Sequence, residues 1–123
     1  EEEGLTWYLV DTGVPHLVTL TEDLEKFDKE LCAKMRYKYN ANVNFAKPAG
    51  DKLHVRTYER GVEDETGACG TGMVASFLYG FSKNLLEKSV RVYPTSNEEL
   101  YIKSENGVLF FKGKVQKIFE TTI

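Results

Sequence analysis

The sequence has few of the residues that mark disulfide-rich or zinc-binding proteins. It contains two cysteines and two histidines among 123 residues. Two cysteines do not make a disulfide framework, and no Cys-x-x-Cys or His-x-x-x-His spacing is present. No apolar run approaches the roughly 18 residues that a membrane-spanning helix needs, and no signal peptide is recognisable. These absences predict a protein of the reducing cytoplasm, with no metal site and no membrane contact.

An excess of positive charge is also missing. The chain has 16 Lys and Arg against 19 Asp and Glu, with a net charge of −3 and no basic stripe, so nucleic acid is not an expected partner. Aromatic residues make up 12% of the chain, which argues against disorder, and the length suits a single domain over residues 1–123. Because the chain begins at Glu1 without an initiator Met, we expect a processed protein or a part of a longer one.

Two helices are predicted among segments of strand composition. The first begins at Thr21 as N-cap and is amphipathic, and Cys32 lies on its apolar side as a core cysteine. The second spans 73–81 and is apolar on nearly every side, which indicates a buried helix. A turn is predicted at 48–51 and a polar loop at 60–66. The predicted strands are 5–10, 16–20, 42–45, 53–59, 90–93, 100–102, 108–111 and 115–119, the sixth and seventh joined by an Asn106-Gly107 hairpin turn. This order favours an α+β domain whose sheet curls around the buried helix.

The sharpest local feature is the glycine-rich segment 67–72 at the start of the buried helix. A helix N-terminus favours the thiolate form of a cysteine placed there, as Cys69 is. The backbone N–H groups of Gly70, Thr71 and Gly72 are suited to hold a carboxylate or another small anion. The same segment is equally compatible with a structural cysteine beside a glycine-rich turn.

Other polar residues are candidates for the same site, each with a plainer alternative. His16 follows a turn that can present it to a cleft, or it is a surface histidine. Glu59 and Arg60 end a strand and can bind an ammonium and a carboxylate if the strand bends there, or they form a surface ion pair. Asn42 and Asn44 share one strand face and can read an amino acid, or they lie on a solvated face.

Taken together, the motifs resemble those of the diaminopimelate epimerase family. The matching segments are Thr12-Gly13-Val14-Pro15-His16, Asn42-Val43-Asn44-Phe45, Tyr58-Glu59-Arg60-Gly61 and Thr66-Gly67-Ala68-Cys69-Gly70-Thr71-Gly72. Their order and spacing match the second half of that family across essentially the whole chain. The last motif separates the chain from the related proline racemases.

The resemblance implies an isomerase that works without pyridoxal phosphate or any other cofactor. Such an enzyme interconverts LL- and meso-diaminopimelate on the route to lysine and peptidoglycan, with two cysteines flanking the substrate α-carbon. It also implies a mixed, mostly antiparallel, β-barrel-like sheet around one buried central helix, with the first helix as an amphipathic outer helix.

Site residues carry over from the family motifs by position. The catalytic residues implied are Cys69, Glu59 and His16. The substrate-binding residues implied are Asn42 and Arg60 at the distal end of the substrate, and Gly70 and Thr71 at its α-carboxylate.

Two departures from the family pattern shape the expectation. Val14 stands where the family has Asn in Gly-Asn-Pro-His, so one distal substrate contact is missing or supplied elsewhere. No segment matches the loop with the other catalytic cysteine, and Cys32 has no glycines nearby. We therefore expect the C-terminal domain of a two-domain epimerase that is inactive alone, with the first domain and a second copy of the enzyme as candidate partners. Its residues from about 114 to 123 are expected to pack on the first domain.

Two other functions remain open from the sequence. One is a cysteine hydrolase that uses Cys69 with His16 as base, which would form a covalent acyl intermediate. The other is a non-catalytic module that binds a small anion or an amino acid at the helix N-terminus.

Overall fold

One mixed sheet dominates the computed structural model, which describes residues 4–11, 13–67, 69–106, 108–112 and 118–122. Within these residues the strands are β1 (Tyr8–Asp11), β2 (Pro15–Leu20), β3 (Asn42–Glu59), β4 (Asp64–Thr66), β5 (Leu86–Tyr93), β6 (Leu100–Glu105), β7 (Val108–Lys112) and β8 (Ile118–Thr122). Their order in the sheet is β1-β2-β3-β5-β6-β7-β8, and β4 pairs with β3 outside this path.

Parallel pairing occurs where β3 meets β2 and β5. The other described pairs, β1–β2, β3–β4 and the β5–β6–β7–β8 meander, are antiparallel. The predicted mixed, mostly antiparallel sheet is therefore confirmed. Strand β3 pairs with β2, β4 and β5, so most of the domain is assembled on it.

Helix α2 (Gly70–Ser82) fills the concave side of the sheet. Its side chains Val74, Ala75 and Phe77 are almost fully buried, in one core with strand residues such as Leu53 and Ile102. This confirms the predicted central helix, because a helix that is apolar all round needs cover on every side. No helix among the described residues is long and apolar enough to cross a membrane.

Helix α1 (Lys29–Tyr39) forms a second core with the other face of β3. Cys32 and Met35 of this helix are buried with Val43 and Phe45 of the strand. Since side chains alternate along a strand, the intervening positions of β3 face α2 instead. The expected amphipathic outer helix is confirmed, and so is Cys32 as a core cysteine.

The predicted start of the first helix, at Thr21, was wrong. The chain forms a 3₁₀ turn at Leu24–Lys26 and begins α1 only at Lys29. Asp23 and Asp28 each accept the backbone N–H two residues further on, at 3.0 and 2.9 Å. Each carboxylate satisfies an unpaired helical N–H, so two N-caps produce two short helical segments in place of one.

The turn predicted at 48–51 was also wrong, and the loop predicted at 60–66 was right only for residues 60–63. Strand β3 continues through the first segment, where Gly50 has φ +68° and the pairing with β5 shifts between Gly50 and Lys52. Such a bulge bends a strand without reversing it. The second segment contains β4, which returns along β3 as a hairpin.

The last strands follow the predicted hairpin. β6 and β7 pair up to Glu105 and Val108, and Asn106 has φ +54°, while Gly107 lies outside the described residues. Within the predicted 114–123 tail, β8 pairs with β7, and residues 113–117 and 123 lie outside the described residues. That this tail packs on a further domain stays a prediction.

The close approach of α2 to β3 generates a stability prediction. A Cβ at Gly72 would lie 2.5 Å from Asn44 Oδ1 and 3.2 Å from Thr57 Oγ1. These two buried atoms are hydrogen-bonded to each other, and making room for a Cβ would strain or break that bond, so Gly72→Ala should lower the free energy of unfolding by about 1–3 kcal/mol. Urea denaturation measures this change.

The matched control is Gly70→Ala in the same helical turn. A Cβ there meets nothing within 4 Å, so the free energy of unfolding should stay within about 0.5 kcal/mol. Equal effects of the two substitutions would contradict the described packing of the helix on the strand.

Candidate active site

The N-terminus of α2 is open to a ligand. Cys69 is its N-cap in an extended conformation, and the cysteine side chain makes no capping hydrogen bond. The first helical hydrogen bond runs from Met73 N to Cys69 O at 3.0 Å. The N–H groups of residues 70–72 therefore have no carbonyl partner within the helix. These donors and the helix dipole make the position suitable for a carboxylate.

A cavity of about 330 Å³ lies at this helix start. Its lining residues come from the β1–β2 connection, both ends of β3 and the first turn of α2, and they are Val14, Asn42, Glu59, Arg60, Cys69 and Thr71. Gly70 is exposed next to Cys69. The structure thus brings most of the predicted site residues to one place, while their roles stay predictions. Thr12 and Ala68 of the motifs lie outside the described residues.

His16 lies beneath this cavity and not on the surface, so the alternative of a surface histidine was wrong. Its side chain is fully buried, at 0% exposure. The imidazole Nε2 is 2.9 Å from Thr71 Oγ1, and Nδ1 is 3.1 Å from Asn44 Nδ2. Asn42 Nδ2 is further away, at 3.5 Å from Nε2. The histidine therefore connects the sheet to the first turn of α2.

Burial keeps the His16 ring neutral. Desolvation lowers its pKa from 6.5 to about 4; Asp11 opposes this change and Arg60 adds to it. A buried ring with nitrogens committed to hydrogen bonds is a poor general base near neutral pH. His16 is thus better suited to hold a neighbour in place than to take a proton.

The two asparagines of β3 are buried, so the alternative of a solvated face was wrong for them. Asn42 is 4% exposed and Asn44 is 0% exposed. Asn42 Oδ1 accepts a hydrogen bond from Arg60 N at 2.6 Å, and Asn44 Oδ1 accepts one from Thr57 Oγ1 at 2.7 Å. Sequence reasoning missed Thr57, although a hydroxyl in the apolar alternation after Leu53 is the signal that marks it.

A bend at the end of β3 lets Glu59 and Arg60 line the same cavity. The strand ends at Glu59, and Glu63 N donates to Glu59 O at 2.8 Å across the turn. Gly61, at φ +94°, and Glu63, at φ +57°, take the left-handed conformation that this tight reversal requires. In a straight strand the side chains of Glu59 and Arg60 would point to opposite faces, whereas the bend lets both line the cavity.

Helix α1 holds this turn from the outside. Arg36 forms an ion pair with Glu63 at 2.8 Å, and Arg60 Nη1 donates to Asn40 O at 2.8 Å at the C-terminus of the helix. A cation is favourable at that end of a helix dipole. Arg60 has five N–H donors, so this one bond leaves others for a ligand.

The connection from β4 into α2 is held as well. Glu65 accepts two hydrogen bonds from Arg56, both at 2.8 Å, and one from Thr95 Oγ1 at 2.7 Å. Ser96 N donates to Gly67 O at 2.8 Å. Cys69 thus lies between an anchored hairpin and a buried helix.

Among the described residues, no three His, Cys, Asp or Glu side chains cluster as a metal ion requires.

Comparison with known proteins finds relatives over nearly the whole chain. A family model described as diaminopimelate epimerase matches residues 8–118. The chain is 57% identical over 122 residues to a diaminopimelate epimerase of Nitratiruptor sp., 55% identical to one of Campylobacter jejuni and 43% identical to one of Helicobacter pylori. These alignments cover 98%, 98% and 92% of this chain but only 49%, 49% and 43% of those proteins. The chain therefore spans about half the length of the curated relatives it matches.

Solved structures show the fold at lower sequence identity. A phenazine biosynthesis protein PhzF family structure from Enterococcus faecalis matches with a TM-score of 0.67 at 16% identity, over 85% of this chain and 42% of that one. A putative PhzC/PhzF protein from Clostridium difficile matches with a TM-score of 0.63 at 15% identity, with the same coverages.

The two cysteines should differ in reactivity. Burial leaves Cys32 at 0% exposure and raises its pKa to about 12, whereas Cys69 is half-buried beside the cavity. Iodoacetamide near neutral pH should therefore label Cys69 at least tenfold faster, since only an accessible thiolate reacts. Peptide mass spectrometry of the folded chain gives both rates. In urea the two rates should converge, and equal rates in the folded chain would contradict the described positions.

The lowered pKa of His16 should make stability depend on pH. The unfolded chain binds a proton at this histidine near pH 6.5, and the folded chain only near pH 4. Its contribution is therefore complete above pH 6.5 and is lost as the pH falls towards 4, a loss of about 3 kcal/mol in the free energy of unfolding.

Urea denaturation at pH 7 and pH 4 measures that loss. His16→Gln should remove this part of the pH dependence, while His54→Gln, at the half-exposed second histidine, should keep most of it. The same pH dependence in all three chains would show that His16 titrates normally.

Proposed function

The chain belongs to the diaminopimelate epimerase family, and we propose that it carries one of the two acid–base groups of a cofactor-independent epimerase acting on diaminopimelate. The observation that supports this most strongly is the common cavity of Cys69, Thr71, Asn42, Glu59 and Arg60 at the N-terminus of α2. It combines a proton carrier, an anion site and groups for a second charged end. A substrate with an amino acid at each end needs all three.

The proposed chemistry is a proton exchange at the α-carbon. Cys69, as thiolate, takes the α-proton, and the electron pair of the broken C–H bond is delocalised into the α-carboxylate. That carboxylate is held by the N–H groups of Gly70 and Thr71, where the helix dipole stabilises the developing charge. A thiol on the opposite face gives a proton to the carbon, which inverts it and leaves that second sulfur as thiolate. In the reverse direction Cys69 supplies the proton.

The distal end of the substrate is assigned to the hairpin side of the cavity. Arg60 binds the distal carboxylate, because an Arg fork suits that group, and Glu59, at the same cavity, helps to orient the substrate or to tune the thiol. Asn42 holds the Arg60 backbone through its Oδ1, so its contribution is to place Arg60. Val14 lines the cavity without a hydrogen-bonding side chain and contacts the methylene groups.

The second acid–base group is supplied from outside this chain. Its other cysteine, Cys32, is fully buried in the core between α1 and β3 and cannot reach substrate. The chain spans about half of its relatives, so we assign the second cysteine to a first domain that closes over the cavity. The proposed setting is a cytoplasmic enzyme that serves lysine and peptidoglycan synthesis, with a homodimer as its candidate assembly.

The geometry does not favour the cysteine hydrolase. That reaction needs His16 as general base, yet its Nε2 is bonded to Thr71 and its pKa is about 4. A binding module without chemistry remains an outcome of the experiment below.

A chimaera tests the proposed activity. This chain replaces the corresponding half of the Nitratiruptor epimerase, to which it is 57% identical, so that a related epimerase supplies the other half. We expect deuterium uptake at the α-carbon of diaminopimelate in D₂O. Cys69→Ser should lower kcat/KM at least 10²–10⁴-fold, the usual contribution of an acid–base group, because a hydroxyl is far too weak an acid to act as resting base.

Cys32→Ala is the matched control and should leave most of the activity. A folded chimaera without exchange would refute the proposed epimerase. Diaminopimelate binding to that chimaera and to its Cys69→Ala variant, still without exchange, would establish the binding module instead.

A further inference from the structure

We propose that Asn44 and Thr57 are positioning residues that hold the neutral His16 ring with its proton on Nε2 and thereby aim the Thr71 hydroxyl proton at the Cys69 sulfur. The tautomer follows from the hydrogen bonds alone. The consequence for catalysis rests on the proposed function, in which that sulfur carries the α-proton.

The first step is the orientation of the Asn44 amide. Asn44 Nδ2 lies 3.0 Å from the carbonyl oxygen of Leu17, which only accepts hydrogen bonds, so the nitrogen must face it. Asn44 Oδ1 then faces Thr57 Oγ1 at 2.7 Å and accepts its proton. A flipped amide would set two acceptor oxygens against each other in a site without solvent. Gly72 permits this arrangement, since a Cβ there would collide with Asn44 Oδ1.

The second step is the tautomer of the ring. The remaining N–H of Asn44 Nδ2 points to His16 Nδ1 at 3.1 Å, which must therefore present a lone pair. A neutral imidazole carries one proton, so that proton is on Nε2. Asn42 Nδ2 would favour the opposite tautomer, but it is 3.5 Å from Nε2, and the shorter, fully buried contact with Asn44 decides.

The third step reaches the sulfur. His16 Nε2–H donates to Thr71 Oγ1 at 2.9 Å and uses an acceptor site of that hydroxyl. The hydroxyl keeps its own proton for another acceptor, and Cys69 Sγ lies 3.6 Å from the oxygen. In the other tautomer Nε2 would accept a hydrogen bond from the Thr71 hydroxyl, and the thiolate would lose this donor. The chain of bonds from β3 thus fixes which way the Thr71 hydroxyl points.

Nuclear magnetic resonance of the ¹⁵N-histidine-labelled chain tests the tautomer directly. The chain has two imidazoles, His16 and His54, and the half-exposed His54 is an internal reference. Near pH 7 we expect a pyridine-type Nδ1 and a pyrrole-type Nε2 for His16. A proton on Nδ1, or an averaged pair of shifts, would overturn the proposal.

Variants of Thr57 separate positioning from packing. Thr57→Val removes one of the two contacts that orient the Asn44 amide, leaving only Leu17 O, and should allow some of the amide to flip and the tautomers to mix, while Thr57→Ser should restore the single one. Thr71→Val should slow alkylation of Cys69 by iodoacetamide near neutral pH about tenfold, the effect of one lost hydrogen bond to a charged sulfur. An unchanged alkylation rate would overturn the part of the proposal that concerns the sulfur.

These measurements need neither substrate nor the other half of an epimerase, so they separate this inference from the proposed function. The expected tautomer and alkylation rates in a chimaera without deuterium exchange would refute the epimerase and leave the positioning chain intact. Active enzyme with the other tautomer would refute the positioning chain alone.

Discussion

The contact between the first turn of α2 and β3 is the constraint on which the site depends. Gly72 lets the helix approach until Asn44 and Thr57 lie against its backbone. The sheet curls around this helix, so the helix N-terminus opens where β2, β3 and the β3–β4 turn meet. A thiol, unpaired N–H groups and buried amides come together because one short apolar helix is covered on every side. The packing of α2 against the sheet thus determines where the candidate catalytic groups lie.

The two faces of β3 differ at its start, where one is apolar and the other polar. One face contributes Val43 and Phe45 to the core with α1, and the other presents Asn42 and Asn44 to the start of α2. The outer helix also holds the turn that carries Arg60, through its C-terminus. Helix α1 therefore influences the cavity without lining it. A substitution that unfolds its last turn would displace Arg60, although no residue of that turn lines the cavity.

The local sequence pattern correctly predicted those elements whose burial follows from their own residues. An uncharged apolar helix must be buried, and Cys32 on an apolar stripe must lie in a core. The pattern failed where a partner distant in sequence decides. Parallel pairing sets His16 beside Asn42, which turns a supposed surface histidine into a buried one. The pairing with β5 keeps β3 extended where a turn was predicted. The role of Thr57 depends on its hydrogen bond to Asn44, which the sequence pattern does not reveal.

A neutral histidine suits a cysteine that must act as both base and acid. A buried imidazolium beside Thr71 would stabilise the thiolate strongly and make the sulfur a weaker base, which would slow proton removal in one direction. A neutral ring, one hydroxyl away, supplies direction without a full charge. The permanent dipole of α2 and the N–H groups of its first turn remain to bind the carboxylate. Burial lowers the pKa of His16 to about 4, which destabilises the folded chain below pH 6.5. The same burial keeps the ring neutral across the neutral range, so it remains an oriented hydrogen-bond donor of constant charge.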